Sequence, residues 1–136
     1  MIKIQGSLIF KEKNMPRILV VDDSPTEVFR FKEILNKYGY EVIEAMNGEE
    51  GIQMAKIILP DLILMDIVMP GINGFQATRQ ITRDNLTKHI PIIIVSTKDQ
   101  ETDRVWGKRQ GAVDYLTKPI GEKQLINAIK INLTTQ

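Results

Sequence analysis

Four apolar runs in this chain each end on side chains able to do chemistry. Ile18-Leu-Val-Val-Asp22-Asp23 ends on paired carboxylates, Leu62-Ile-Leu-Met-Asp66 on one more, Ile92-Ile-Ile-Val-Ser96-Thr97 on hydroxyls, and Val113-Asp-Tyr-Leu-Thr-Lys118-Pro119 on a cation. Parallel strands of an open α/β sheet direct their carboxyl ends into a shared crevice, the usual ligand site of such a sheet. If the runs are strands of that kind, three acids, a hydroxyl and a lysine meet there. Aspartate after a strand more commonly closes a turn or caps a helix. For an isolated Asp-Asp pair the two readings are about balanced, and the expected convergence of Asp22 and Asp23 with Asp66 and Lys118 tips the balance toward a site.

Three carboxylates brought together repel one another, and one lysine does not neutralise them. A divalent cation does. Hard oxygen donors without cysteine favour Mg²⁺ or Mn²⁺, held by a few carboxylates and keeping water or phosphate oxygens in the shell. Such a site suits phosphoryl transfer, and a carboxylate can itself be the nucleophile that carries an aspartyl phosphate. Asp66 is the candidate, because it stands alone on its strand while Asp22 and Asp23 hold the metal. Ser96 is read as a hydroxyl that hydrogen-bonds a phosphoryl oxygen, and Thr97 as a turn former. A cis Lys118-Pro119 bond would aim the ammonium into the crevice. Tyr115 alternates with Leu116 on the last strand, which suits a core-edge aromatic, while its closeness to Ser96 suits a movable reporter. His89, the only histidine, lies in a polar connection before Pro91 and is read as a solvated loop residue, which leaves no Ser-His-Asp set.

Composition excludes several other classes. A length of 136 residues with 43% hydrophobic content fits one compact domain. A net charge of +1 gives no electrostatic case for nucleic acid or an anionic membrane surface. The lack of cysteine excludes disulfides, iron–sulfur clusters and thiolate zinc sites, and suits a reducing cytoplasm, the expected location. No apolar run approaches the roughly 20 residues that span a bilayer. The first residues lack a signal peptide's apolar core and cleavage site.

The order of elements is alternating, which predicts an α/β fold with a parallel sheet covered on both faces. Strands are expected at Ile18–Val21, Glu41–Glu44, Leu62–Met65, Ile92–Val95 and Asp114–Leu116. The first helix opens at Ser24-Pro25-Thr26-Glu27, a capping box with proline at the first helical position, and is expected to bury Val28, Phe31, Leu35 and Tyr38 before Gly39 stops it. Further helices are expected from about Gly48 to Ile58, Gly74 to Arg83, Asp99 to Gln110 and Glu122 to Leu133. The fourth of these five has only Val105 and Trp106 as large apolar groups and Gly107 in its interior, so it is expected to be the least firmly anchored. Met1 to Asn14 falls outside the alternation. It is expected to be an N-terminal extension, disordered or upstream of a native start at Met15, with residues 15–136 forming the domain.

Taken in order, Asp22-Asp23, Asp66 followed by Met69-Pro70-Gly71 and Gly74, Ser96-Thr97, and Gly111-Ala112 through Tyr115 to Lys118-Pro119 resemble the receiver domain of bacterial two-component response regulators. The resemblance covers about Arg17 to Leu133. It implies a flavodoxin-like, doubly wound five-stranded parallel sheet of order 2-1-3-4-5, and phosphorylation of Asp66 by a phosphohistidine of a histidine kinase or phosphotransfer domain. It further implies Mg²⁺ on Asp23, Asp66 and the Val68 backbone carbonyl, with Asp22 assisting mainly through water. Ser96 and Lys118 would hold the phosphoryl group, and Ser96 with Tyr115 would form the switch. Three segments, Asp22 to Glu27, Gly74 to Gln80 and Lys98 to Gln110, resemble more narrowly the stand-alone regulators of the chemotaxis-like pathway that governs type IV pili and twitching motility. Gly121 departs from the usual pattern, since a side-chain helix cap is more common there.

The expected function is therefore a stand-alone phosphoacceptor that switches a protein-binding surface made by the fourth helix, fifth strand and fifth helix. It would phosphorylate and slowly dephosphorylate itself without being a turnover enzyme. The rivals are a receiver-like interaction module that works without phosphorylation, and an aspartyl-phosphate hydrolase. The hydrolase would need an additional acid/base and a substrate-covering cap.

Overall fold

The computed structural model describes residues 15–134, so the expected extension 1–14 lies outside the described residues. Strands and helices alternate as β1 (Arg17–Val21), α1 (Pro25–Lys37), β2 (Glu41–Ala45), α2 (Gly48–Ile58), β3 (Leu62–Met65), α3 (Gly74–Arg83), β4 (Ile92–Ser96), α4 (Glu101–Arg109), β5 (Asp114–Thr117) and α5 (Glu122–Thr134). The strands pair in parallel in the order β2-β1-β3-β4-β5, the flavodoxin-like arrangement. Register aligns their carboxyl ends: Val21 lies opposite both Ala45 and Met65, Met65 opposite Ile94, and Ser96 opposite Thr117. The residues just beyond each strand therefore enter one crevice.

Side chains alternate across a strand, and the sheet accordingly feeds two cores. Ile18, Val20, Leu62, Leu64, Ile93 and Val95 face α1 and α5, where they meet Phe31, Leu35, Leu125 and Ile129. Leu19, Val21, Ile63, Met65 and Ile92 face α2 and α3, where they meet Ile52, Ala55, Ala77 and Ile81. A third, smaller cluster of Ile67, Ile94, Ala112 and Tyr115, with Phe75 at its edge, extends the core toward α4.

One expectation needs correction. Tyr38 is 40% exposed, and the buried face of α1 is completed by Ile34 instead. The Tyr38 hydroxyl donates to Glu122 Oε2 at 3.0 Å, beside a Lys37–Glu122 ion pair of 2.7 Å, so it ties the end of α1 to the start of α5. The thin anchoring expected of α4 agrees with its burial. Its only buried residue is Gly107, whereas α1 buries Val28, Phe31, Ile34 and Leu35, each worth about 1.5–3 kcal/mol when fully buried. The apolar anchoring of α4 is thinner than its sequence suggests, because Val105 and Trp106 are 42% and 46% exposed. Gly107, a weak point by helix propensity, is where the α4 backbone packs against sheet side chains. A Cβ there would lie 2.9 Å from Ile94 Cδ1 and 3.1 Å from Tyr115 Cδ2.

Candidate phosphoacceptor and metal site

The crevice is built by backbone pairing. The Asp22 amide donates to the Ala45 carbonyl at 3.1 Å, and the Asp66 amide to the Val21 carbonyl at 3.0 Å, so each acid is fixed where its strand leaves the sheet. The loop after Asp66 folds back at once: Gly74 N–H donates to the Ile67 carbonyl at 2.9 Å. A Cβ on Gly74 would stand 1.9 Å from the Asp66 carbonyl oxygen. Only glycine lets α3 begin this close to the acid. Asn73 caps that helix, its side chain accepting from Gln76 N–H while Gln76 reaches back to the Asn73 amide.

The carboxylates of Asp22, Asp23 and Asp66 each place an oxygen within 4.8 Å of the others. Asp22 is 2% exposed, Asp66 is half-buried and Asp23 is open to solvent. Asp22 Oδ1 accepts from Ser24 N–H at 2.9 Å, and Asp22 Oδ2 from Lys118 Nζ at 2.9 Å. The same ammonium lies 3.6 Å from Asp66 Oδ1 and 3.8 Å from Glu27 Oε1. Lys118 reaches in from the end of β5, where the Lys118-Pro119 peptide is cis. Glu27 reads in the sequence only as part of a helix cap; its position one turn into α1 brings it to the lysine.

Charge is unevenly matched here. Burial pushes the Asp66 carboxyl up to about 6; Lys118 opposes that shift, Asp22 and Asp23 add to it, and the Ile67 N–H, bonded to Asp66 Oδ1 at 2.9 Å, opposes it. Burial also works against the charge on Lys118, but the hydrogen bond it donates to Asp22 and the fields of Asp66, Asp22 and Glu27 outweigh it and leave the ammonium's pKa raised. Three carboxylates around one ammonium leave a surplus of negative charge, and every donor atom is a hard oxygen. This donor set fits Mg²⁺ or Mn²⁺.

Ser96 is fully buried at the end of β4, and its Oγ accepts from Lys98 N–H at 3.1 Å. Thr97 is exposed in the turn after it, and His89 is exposed in its loop. Val68 is 60% exposed, two residues beyond Asp66. Tyr115 is 4% exposed, with its hydroxyl donating to the Lys98 carbonyl at 2.6 Å, and burial pushes its phenol pKa up. The ring already fills the space beside β4. Next to the acids, a cleft of about 290 Å³ is walled by Asp22, Asp23, Phe29, Lys32, Glu44 and Met46 among others. Phe29 and Met46 are 66% and 58% exposed, so apolar surface flanks the mouth of the crevice.

Sequence reasoning misses one residue entirely. Arg104 of α4 sends its guanidinium across to β5, donating to the Tyr115 carbonyl at 3.2 Å and to Thr117 Oγ1 at 2.7 Å, with its carbon 5.3 Å from the centre of the Tyr115 ring. The available signal is the i, i+3 spacing of Arg104 from Gly107, which sets both toward the sheet.

Comparison with known proteins agrees with this architecture. Residues 18–130 match the family described as response regulator receiver domain. Protein PilH of Pseudomonas aeruginosa is 61% identical over 115 residues, which make up 85% of this chain and 95% of that protein. A response regulator from Chloroflexus aurantiacus superposes with a TM-score of 0.85 at 32% identity, covering 88% of this chain and 98% of its own. The receiver domain of the sensor histidine kinase PA1611 from P. aeruginosa, whose structure has a magnesium ion coordinated in the active site cleft, superposes with a TM-score of 0.82 at 28% identity. That match covers 88% of this chain and 98% of the PA1611 domain.

Proposed function

Because this chain belongs to the family of response regulator receiver domains, we propose that it is a phosphorylation-driven switch with Asp66 as phosphoacceptor. The observation that carries the reading is the position of Lys118, which reaches Asp22 at 2.9 Å and Asp66 at 3.6 Å within a cluster of three carboxylates. An Asp66 oxygen attacks the phosphorus of a phosphohistidine, the P–N bond breaks, and the imidazole leaves with the electron pair and takes up a proton from solvent. Lys118 then lies within reach of the new phosphoryl oxygens. Ser96, whose Oγ accepts from Lys98 N–H, still has its own proton to donate to one of them. Asp22, Asp23, Asp66 and the Val68 carbonyl would hold Mg²⁺ or Mn²⁺, which when bound neutralises charge on the phosphoryl oxygens.

The donor is a histidine kinase or phosphotransfer domain that docks over the crevice, where Phe29 and Met46 offer it apolar surface. The output is a protein target on the surface formed by α4, β5 and α5, with Tyr115 and Ser96 as the moving parts. Such a protein regulates by changing what it binds and is not a turnover enzyme. Likeness to PilH supports a place in control of type IV pili and twitching motility, in the cytoplasm. Among the described residues no helix is long and apolar enough to cross a membrane.

Incubation with acetyl phosphate and Mg²⁺, read on a phosphate-affinity gel, tests the reading. Wild type should shift in a Mg²⁺-dependent way and Asp66→Asn should not. Equal early incorporation by both proteins would assign the nucleophile to another carboxylate.

A further inference from the structure

The aromatic side chain beside Ser96 is held from the helix side as well as from the strand. Arg104 forks onto the Tyr115 carbonyl and Thr117 Oγ1 and lays its guanidinium over the ring. On the same side of α4, Gly107 brings the helix backbone against the ring edge, where a methyl group would crowd Ile94 Cδ1 at 2.9 Å and the ring at 3.1 Å. At the far end of the ring, the hydroxyl is bonded to Lys98 O, and Lys98 N–H is bonded to Ser96 Oγ. A continuous chain of contacts thus runs from Ser96 through Lys98 and Tyr115 to Arg104.

We propose that Arg104 is the positioning residue of this relay: it clamps the Tyr115 ring to α4, so that a displacement of Ser96 is passed to the helix rather than absorbed by rotation of the ring. The physical basis is the difference between one bond and several. A tyrosine held only by its hydroxyl can swing about its side-chain torsions when Lys98 moves. With its face covered by a guanidinium that is itself anchored at two β5 oxygens, the ring moves only if α4 moves or the fork breaks. The planar fork also explains the residue type, because lysine has one nitrogen and cannot reach both acceptors while stacking on the ring. Arg104 touches neither metal nor phosphoryl group and acts only through Tyr115. Its consequence for signalling rests on the reading of Asp66 as phosphoacceptor.

The test starts with ligand-free protein carrying ¹³C-labelled tyrosine rings, which report Tyr38, Tyr40 and Tyr115 separately. In Arg104→Met, which keeps the apolar stem, the Tyr115 ring signals should shift and the ring should flip about tenfold faster, with Tyr38 and Tyr40 unchanged. Thr117→Val, which removes one anchor of the fork, should move Tyr115 in the same direction by less. Arg104→Lys should fall between wild type and Arg104→Met. An unchanged Tyr115 spectrum in Arg104→Met would overturn the clamp. Beryllofluoride with Mg²⁺ then mimics the aspartyl phosphate: in Arg104→Met the Ser96 and Lys98 amides should still shift while the response of Glu101 to Arg109 shrinks. Full transmission to α4 in that variant would equally overturn the proposal. If wild type gives no response around Asp66, the reading of the acidic site fails, whereas the ligand-free ring signals still decide whether Arg104 holds Tyr115.

Discussion

Lys118 and Asp22 form a pair 2.9 Å apart, with side chains 12% and 2% exposed. The Asp22 carboxylate accepts one further bond, from Ser24 N–H, so the lysine is the cation that compensates its buried charge. Lys118→Met should therefore destabilise the metal-free protein at neutral pH by about 3–5 kcal/mol, as expected when a buried ion pair loses one member. Urea unfolding with chelator present measures it, and a loss under about 1 kcal/mol would mean that the acids tolerate one another without a counter-charge.

Asp66→Asn should have the opposite effect. The folded-state pKa of about 6 lies above the ordinary value of 3.8, so between these two pH values the folded chain binds the proton more tightly than the unfolded chain. The stability tied to that proton is fully present below about pH 4 and is lost as pH rises through 6, a change of about 2–3 kcal/mol at neutral pH. An amide has no charge to desolvate. The variant should thus be more stable than wild type at pH 7.5 without metal, and the gap should close at pH 4; thermal melts at both pH values decide it.

The same carboxyl sets a pH profile for phosphorylation. Only ionised Asp66 can attack, so at low fixed Mg²⁺ the initial rate with acetyl phosphate should fall about tenfold per unit below pH 6. Raising Mg²⁺ should move the midpoint to lower pH, because a cation among three carboxylates favours their ionised forms. A midpoint indifferent to Mg²⁺ would separate the metal from Asp66.

Gly74→Ala should damage the site without touching a functional side chain. Its Cβ would meet the Asp66 carbonyl oxygen at 1.9 Å, so the backbone that carries the nucleophile must shift. A loss of about 2–4 kcal/mol, in the upper range for single substitutions, and at least tenfold slower phosphorylation are expected. Gly121→Ser provides the contrast: nothing lies within 4 Å of a Cβ there, and a side-chain cap for α5 should stabilise by a few tenths of a kcal/mol. Paired denaturation curves and phosphorylation time courses separate the two glycines.

Much of this architecture is legible in the sequence. The strands of buried residues, β1, β3 and β4, read as continuous apolar runs, and parallel pairing brings the residues after them together. Asp22, Asp23, Asp66, Ser96 and Lys118 can be placed in one crevice on that ground alone. Residues that act through tertiary contact are less visible. Tyr38 has helical spacing from Phe31 and Leu35, but it sits where α1 ends and finds Glu122 rather than the core. Gly107 looks like a helix defect in sequence, although the space it vacates is filled by Ile94 and Tyr115. Arg104 resembles any exposed helix cation, since nothing local announces a partner eleven residues onward in β5.

A parallel sheet also divides the molecule into a working pole and a service pole. The turns after Val21, Met65, Ser96 and Thr117 gather at the crevice, whereas those after the helices, at 38–40, 59–61, 84–91 and 110–113, lie at the opposite end. Asn85 and Leu86 there are exposed, one strand length from the acids. A dye, spin label or affinity handle attached at Asn85 would leave Asp66 chemically undisturbed, and would give the protein an observation post from which docking at the far end can be watched.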